Sequence, residues 1–222
     1  MTQSDLVPID ENLVARLVRN GVVSDTFRRL TPDKKSRLYR VALALFAEYG
    51  HDGLSIDHYC QEAGISKGSF FQYFPSKSHL LEFVVLIFDD YVELLSEEIR
   101  QHDPGGTARQ RLLYLYQALV VNSRLHQTEQ RFYLFLTHAV HHSQVALEGL
   151  DIERHLHAYV QEIIQQGETS GEIRRDFDIQ LTGYIVSAII SALLAHQFSG
   201  RPAPRQQIDD LMISLLFDGI RG

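Results

Sequence analysis

The sequence predicts an all-α fold, with an N-terminal three-helix head that contains a helix-turn-helix and a larger C-terminal helical body. Three observations carry this expectation. Apolar residues recur at three- and four-residue spacing along nearly the whole chain. No run of β-branched residues alternates with period two for long enough to make a strand. The breaks between helical patterns fall on clusters of Gly, Pro and Ser.

The elements follow in order. Residues 6–21 read as a short amphipathic helix that starts near Pro8, gathers Ile9, Leu13, Val14, Leu17 and Val18 on one face, and stops at Gly21. That face is expected to dock on the protein itself; an adaptor surface for a partner protein is the other use open to it. The next helix opens with Thr31 as N-cap and Pro32 at its first position, buries Leu38, Val41, Ala42, Leu45, Phe46 and Tyr49, and ends at Gly50. Its other face carries Lys34, Lys35, Arg37 and Arg40. A short helix from about Ser55 to Ala63 buries Ile56, Tyr59, Cys60 and Ala63 and is ended by Gly64, a residue suited to the left-handed conformation of a tight turn. Ser66 caps a fourth helix with Phe70 and Phe74 inward, and Pro75-Ser76 resets the chain for a long helix over about 77–101. Asp103-Pro104-Gly105-Gly106 is the clearest linker. Helical patterns then cover about 107–126, 128–144, 147–167, 176–199 and 205–219. The expected organisation is an N-terminal extension over 1–30, a helix-turn-helix DNA-binding domain over 31–80, and a ligand-binding and dimerisation domain over 81–222.

Composition narrows the class. The chain has 222 residues, a formal net charge of −7, 45% hydrophobic residues, one cysteine and no tryptophan, which suits a soluble globular protein of one or two domains. A lone Cys60 forms no intrachain disulfide and supplies no thiolate-based zinc site, and no secretory signal pattern is present, so a cytoplasmic location is expected. The most lipid-like stretch, Tyr184 to Ala195, has 12 residues, short of the roughly 20 that span a bilayer, so no membrane segment is expected. No phosphate-binding Gly-x-x-x-x-Gly-Lys loop or nucleophile elbow occurs, and neither an enzyme nor a cofactor is expected.

Two short helices joined by a glycine turn, with an earlier helix across them, place the second in the major groove of DNA. Here that helix is Ser66 to Phe74. With Phe70 and Phe74 inward, Lys67, Ser69, Phe71, Gln72 and Tyr73 are expected outward. Lys67 then suits a phosphate or a guanine edge, Gln72 an adenine, Phe71 a thymine methyl and Tyr73 a phosphate. Ser55, Ser66 and Lys77 lie at or near helix starts, where backbone N–H groups favour phosphate. The same pattern also fits an ordinary helical bundle in which Ser66 and Ser76 are only caps.

The stretch from Arg37 to Leu81, with Ala42 to Gly50, the Ala63-Gly64-Ile65-Ser66-Lys67-Gly68-Ser69 run and Tyr73-Phe74-Pro75-Ser76-Lys77, resembles the DNA-binding region of the TetR family of bacterial transcriptional regulators. The resemblance implies a homodimer that represses by occupying a palindromic double-stranded DNA operator and is released by a small molecule bound in the body. Carried over by position, the operator-contacting residues are Ser55, Ser66, Lys67, Gly68, Ser69, Phe71, Gln72, Tyr73 and Lys77. Two departures stand out: Phe71 occupies a position that is often Tyr, which removes a phosphate hydrogen bond, and Cys60 occupies one that is usually alanine.

Beyond residue 100 the resemblance fades. The last two helices are apolar on all sides, and their small residues, Gly183 and Ser187 among them, allow close approach of another helix. Tyr184, Ala188, Ser191, Ala192, Ala195, Leu211 and Leu215 are therefore expected in a four-helix dimer interface. Phe83, Ile87, Tyr91, Tyr116, Phe132, Phe135, His138 and Tyr159 are candidates for lining an apolar or aromatic effector pocket, although such stripes more often pack helices together. Six histidines fall within residues 126–157, and His138 and His142 have a metal-ligand spacing. A helical metal-dependent enzyme or metal sensor built on that region is the rival reading, weakened by the lack of a companion Glu motif.

The net charge divides unevenly: 0 over residues 1–30, +1 over 31–80 and −8 over 81–222. The acid excess lies in the body, so it does not oppose DNA binding by the head.

Overall fold

Side-chain caps set the helix boundaries in the N-terminal part of the computed structural model, which describes residues 9–141, 153–174, 176 and 178–198. Helix α1 spans Glu11–Arg19, with the Asp10 carboxylate accepting the Leu13 N–H at 2.8 Å. The cap is thus Asp10, and Pro8 lies outside the described residues. Helix α2, Asp25–Arg28, is one turn capped by Ser24 and is too short to leave a periodic signal in the sequence. Thr31 caps α3, Pro32–Gly53, in which Gly50 at φ 66° breaks the helical path one turn before the end. Helices α4 (Ile56–Ala63), α5 (Lys67–Tyr73) and α6 (Lys77–Gln101) follow, then α7 (Ala108–Leu125), α8 (Gln127–His141), α9 (Arg154–Ser170) and α10 (Ile179–Phe198). No strand occurs among the described residues. The expected helix at 205–219, with Leu211 and Leu215, and the beginning of the one expected at 147–167 lie outside them.

Contacts divide the chain into two units. The first comprises residues 1–91 and 126–150, the second residues 92–125 and 151–222. These limits differ from the expected boundary at residue 80 because α8 packs along α3, with Phe135 stacked on Phe46 at 6.5 Å between ring centroids. The core of the first unit is aromatic. Phe27, Phe46, Tyr59, Phe70, Phe74, Phe83 and Phe132 are all fully buried. Val14 and Leu17 of α1 are buried too, so its apolar face docks on the protein. Lys35 departs from expectation: it is buried rather than outward, with its ammonium 3.4 Å from the Glu11 carboxylate of α1. Tyr49 departs in the opposite sense and is exposed, with its ring edge-on to His58.

In the second unit α7, α9 and α10 close around Leu112, Leu115, Tyr116, Val160, Ile163, Ile164 and Ile190. The expected linker is anchored to this core by a charge. Arg111 Nε donates to Asp103 Oδ2 at 2.5 Å, the Tyr159 hydroxyl donates to the same oxygen, and the Gly105 N–H donates to the other at 2.8 Å. Burial alone pushes the Asp103 carboxyl up; the bonds from Tyr159, Arg111 and Gly105, with the Arg111 charge, outweigh it and hold the group below its ordinary value.

Helix α10 is longer and more uniformly apolar than the 12-residue stretch read from the sequence: residues 179–197 meet the length and composition of a membrane span. One face of the helix packs inside the second unit through Val186, Ile190 and Leu194, and Gln197 donates to the Tyr116 hydroxyl at 2.6 Å. Leu181, Tyr184, Ile185, Ala188 and Ala192 form an exposed apolar face.

Candidate nucleic-acid interface

The α4–turn–α5 geometry is set by local chemistry. The Ser55 hydroxyl accepts the His58 N–H at 3.1 Å and starts α4. Gly64 ends the helix at φ 61°, ψ 42°, while the Ile65 N–H reaches back to the Cys60 carbonyl at 3.0 Å. A side chain at Gly64 would be strained in this conformation and would also meet the Arg37 guanidinium, whose Nη2 lies 2.3 Å from the position a Cβ would take. Ser66 restarts the chain, accepting the Ser69 N–H at 3.0 Å. The turn thus needs glycine for its conformation, while the exposed end of Arg37 could swing aside to make room.

Aromatic packing then fixes which face of α5 is outward. Phe70 meets Tyr59 edge-on at 5.8 Å and Phe74 at 5.6 Å, and the buried Tyr59 hydroxyl donates to the Leu38 carbonyl of α3 at 3.2 Å. Outward lie Ser66, Lys67, Gly68, Phe71 and Gln72, with Ser69 half-exposed. Phe71 is 53% exposed, a large apolar ring among polar neighbours. The Lys67 ammonium sits 2.8 Å from the Asp57 carboxylate, an ion pair exposed on both sides. Burial chiefly, and then Asp57, push the Cys60 thiol up, against an opposing effect of Lys67, which makes it a packing residue with little thiolate character.

One expected outward residue, Tyr73, turns inward, and Lys77, expected as an operator contact, has its ammonium engaged within the chain. Tyr73, three residues after the buried Phe70, is only 6% exposed, because its ring meets Phe27 of α2 at 6.4 Å and its hydroxyl accepts from Lys34 Nζ of α3 at 3.1 Å. Lys77 is half-buried and donates to the His51 and Leu54 carbonyls at 2.6 and 3.0 Å, satisfying acceptors left open where α3 ends. Lys34, rather than Tyr73, is the exposed residue of this pair. The sequence holds little signal for the Lys34–Tyr73 and Asp57–Lys67 pairs, since each joins different helices.

The proposed pocket residues fall in both units. In the first, Phe83, Ile87, Tyr91 and Phe132 are buried and Phe135 half-buried. Phe83 belongs to the head core, its ring 5.1 Å from Phe27 and 5.3 Å from Phe74. In the second, the hydroxyls of Tyr116 and Tyr159 are engaged by Gln197 and Asp103. The His138 side chain and all of His142 lie outside the described residues. Among the described residues no group of three or more His, Cys, Asp or Glu side chains could hold a metal ion. Of the proposed interface residues, Tyr184, Ala188 and Ala192 are exposed and Ala195 is half-buried. Ser191, half-buried, donates to Glu153 at 3.3 Å within the chain. Gly183 and Ser187 are buried, and a Cβ at Gly183 would come within 2.6 Å of Gln161 Cγ, so the close approach at Gly183 serves the chain's own α9.

Residues 38–84 match the family of bacterial regulatory proteins, tetR family. The chain is 31% identical over 90 residues to the HTH-type transcriptional regulator YuxN of Bacillus subtilis, an alignment covering 40% of this chain and 31% of that one. It thus spans about a third of the length of that relative. Among solved structures, a TetR family transcriptional regulator from Chloroflexus aurantiacus superposes with a TM-score of 0.66 at 21% identity, covering 90% of this chain and 99% of the other. The transcriptional regulator FadR from Bacillus subtilis, in complex with stearoyl-CoA, superposes with a TM-score of 0.63 at 16% identity, covering 84% and 100%.

Proposed function

We propose that the chain, which belongs to the TetR family of bacterial transcriptional regulators, binds a near-palindromic operator as a homodimer and represses until a largely apolar small molecule releases it. The outward face of α5 carries this reading. Lys67, Ser69, Phe71 and Gln72 combine a cation, a hydroxyl, an apolar ring and an amide within the seven-residue helix, the mixture that base edges and phosphates take. Lys34, which bonds the Tyr73 hydroxyl, and Arg37, which lies against Gly64 of the turn, add cations beside it, and Ser55 and Ser66 cap α4 and α5. Tyr73 and Lys77 enter the site as supports of α5 and of the end of α3, not as direct contacts.

Two-fold symmetry of the protein then mirrors that of the operator, with half-sites about one helical turn, or a multiple of it, apart. The exposed face of α10, with Tyr184 56% exposed, supports the pairing of two copies. Ligand selects the state whose heads are wrongly spaced. Helix α6 supplies residues to both units without interruption, which makes it the element along which that change would reach the head. The aromatic content of both units favours an apolar effector, and the stearoyl-CoA in the structure of FadR from Bacillus subtilis supports that reading. DNA as the partner supports a cytoplasmic location.

Sedimentation tests the pairing. The chain is expected to run as a dimer at micromolar concentration, and Ile185→Glu with Ala188→Glu, both on the exposed face, should give a folded monomer that binds the operator at least tenfold more weakly. A wild-type chain that stays monomeric removes the dimer.

A further inference from the structure

Residues 10–28 precede the stretch shared with the family, yet they hold the C-terminal end of α5. The Ser24 N–H donates to the Tyr73 carbonyl at 3.0 Å, and the Ser24 hydroxyl donates to the Gln72 carbonyl at 2.5 Å. These are end-of-helix carbonyls that the helix cannot satisfy itself. The same hydroxyl accepts the Phe27 N–H at 3.2 Å and so starts α2. Phe27, fully buried, seats its ring on Phe74 at 5.5 Å and Phe83 at 5.1 Å. Helix α1 is tied down at two further points. Arg16 Nη2 reaches both oxygens of Asp90 on α6 at 2.8 and 2.9 Å, and Glu11 pairs with the buried Lys35 of α3.

A helix of seven residues has too few internal hydrogen bonds to hold its own direction, so what fixes it is what it is fastened to. Its N-terminal end is fastened by Ser66 and the Gly64 turn. Its C-terminal end is fastened by Ser24, through the backbone of the very residue, Gln72, whose amide is placed to read a base. We propose that residues 10–28 are a brace that sets the angle at which α5 enters the groove, with Ser24 a positioning residue on which discrimination between operator and unrelated DNA depends. The inference rests on α5 being the DNA-reading helix. Non-specific attraction to phosphates, which tolerates a small rotation of the helix, does not depend on the brace. Base contacts, whose hydrogen bonds weaken steeply with angle, do.

The experiment compares Ser24→Thr with Ser24→Val in the full chain, two variants of the same shape that differ by one hydroxyl. Fluorescence anisotropy reads affinity for a duplex selected by the wild-type chain from random sequence, and for a shuffled duplex of the same composition. Ser24→Thr should stay near wild type. Ser24→Val should lose about tenfold on the selected duplex, the scale of one hydrogen bond, while keeping the shuffled-duplex affinity and the salt slope. Arg16→Gln, which loosens the tie to α6 and leaves Ser24 in place, should shift the same ratio in the same direction even if Ser24→Val fails to fold. Wild-type preference in both variants, or an equal loss on both duplexes, overturns the brace alone. Wild-type preference in Lys67→Ala with Gln72→Ala overturns the assignment of α5, and the brace with it.

Discussion

Replacing Lys67 and Gln72 together by alanine lowers affinity for the operator by about 100- to 1,000-fold, the effect of losing an amide-to-base contact worth about 1–3 kcal/mol and a cation in each half-site. The two residues fail differently. Gln72→Ala relaxes base preference at one position of each half-site and leaves the salt slope unchanged. A Lys67 that neutralises phosphate shows itself in Lys67→Ala as a shallower salt slope with a loss common to all sequences. Neither change should move the melting temperature by more than about 4 °C. Gln72 is exposed, and the Lys67–Asp57 pair is a surface ion pair, a type worth at most about 1 kcal/mol. Mobility shift at two salt concentrations, beside a thermal melt, separates these outcomes. Unchanged operator affinity in the double variant would move the DNA-reading surface elsewhere.

The second large effect is on stability. Asp103→Leu leaves Arg111, whose side chain is 10% exposed, without its closest anion, and strips the Tyr159 hydroxyl of its acceptor. Breaking a buried pair costs about 3–5 kcal/mol, and with Glu162 still 3.5 Å from Arg111 the low end of that range is expected. At roughly 2–4 °C per kcal/mol for a chain of this length, the melting temperature should fall by about 10 °C. Arg111→Met added to Asp103→Leu should recover much of the loss, because no unpaired charge then remains buried. The pH dependence follows in sign. The Asp103 carboxyl is held below its ordinary value in the folded chain, so its contribution is fully present above the unfolded value of about 3.9 and is lost as pH falls through the folded one. The Asp103→Leu variant should therefore lose less stability than the wild type on acidification below about pH 4. A melting curve as steep in pH for the variant as for the wild type would contradict the pairing.

Local chemistry was readable in the sequence, and contacts between distant residues were not. Thr31 and Ser66 as caps, Gly64 as a left-handed stop and Phe70 with Phe74 inward all follow from spacings of a few residues, and each stands in the structure as expected. Tyr73 and Lys77 did not, because what engages them lies elsewhere in the chain: Phe27 and Lys34 for one, the open carbonyls of His51 and Leu54 for the other. Lys35 looks like a surface cation until α1 covers it with Glu11. Helix α2 spans a single turn, too short for periodicity, although Ser24 followed by Asp25 carries the marks of a cap. Asp103 reads as a linker residue beside Pro104 and the glycines, while its carboxylate serves as an anchor for Arg111 and Tyr159. On α10 the all-round apolar pattern was visible, but which small residues serve α9 and which stay open depends on the packing.

Selection of bound duplexes from random sequence by the full chain, followed by footprinting of the strongest, tests sequence-specific DNA reading by α5 most directly. The expected result is a near-palindromic site with protected half-sites about one helical turn, or a multiple of it, apart, and with the preference lost in Lys67→Ala with Gln72→Ala. No enriched sequence, or an enriched sequence that the double variant binds as well as the wild type, would contradict it.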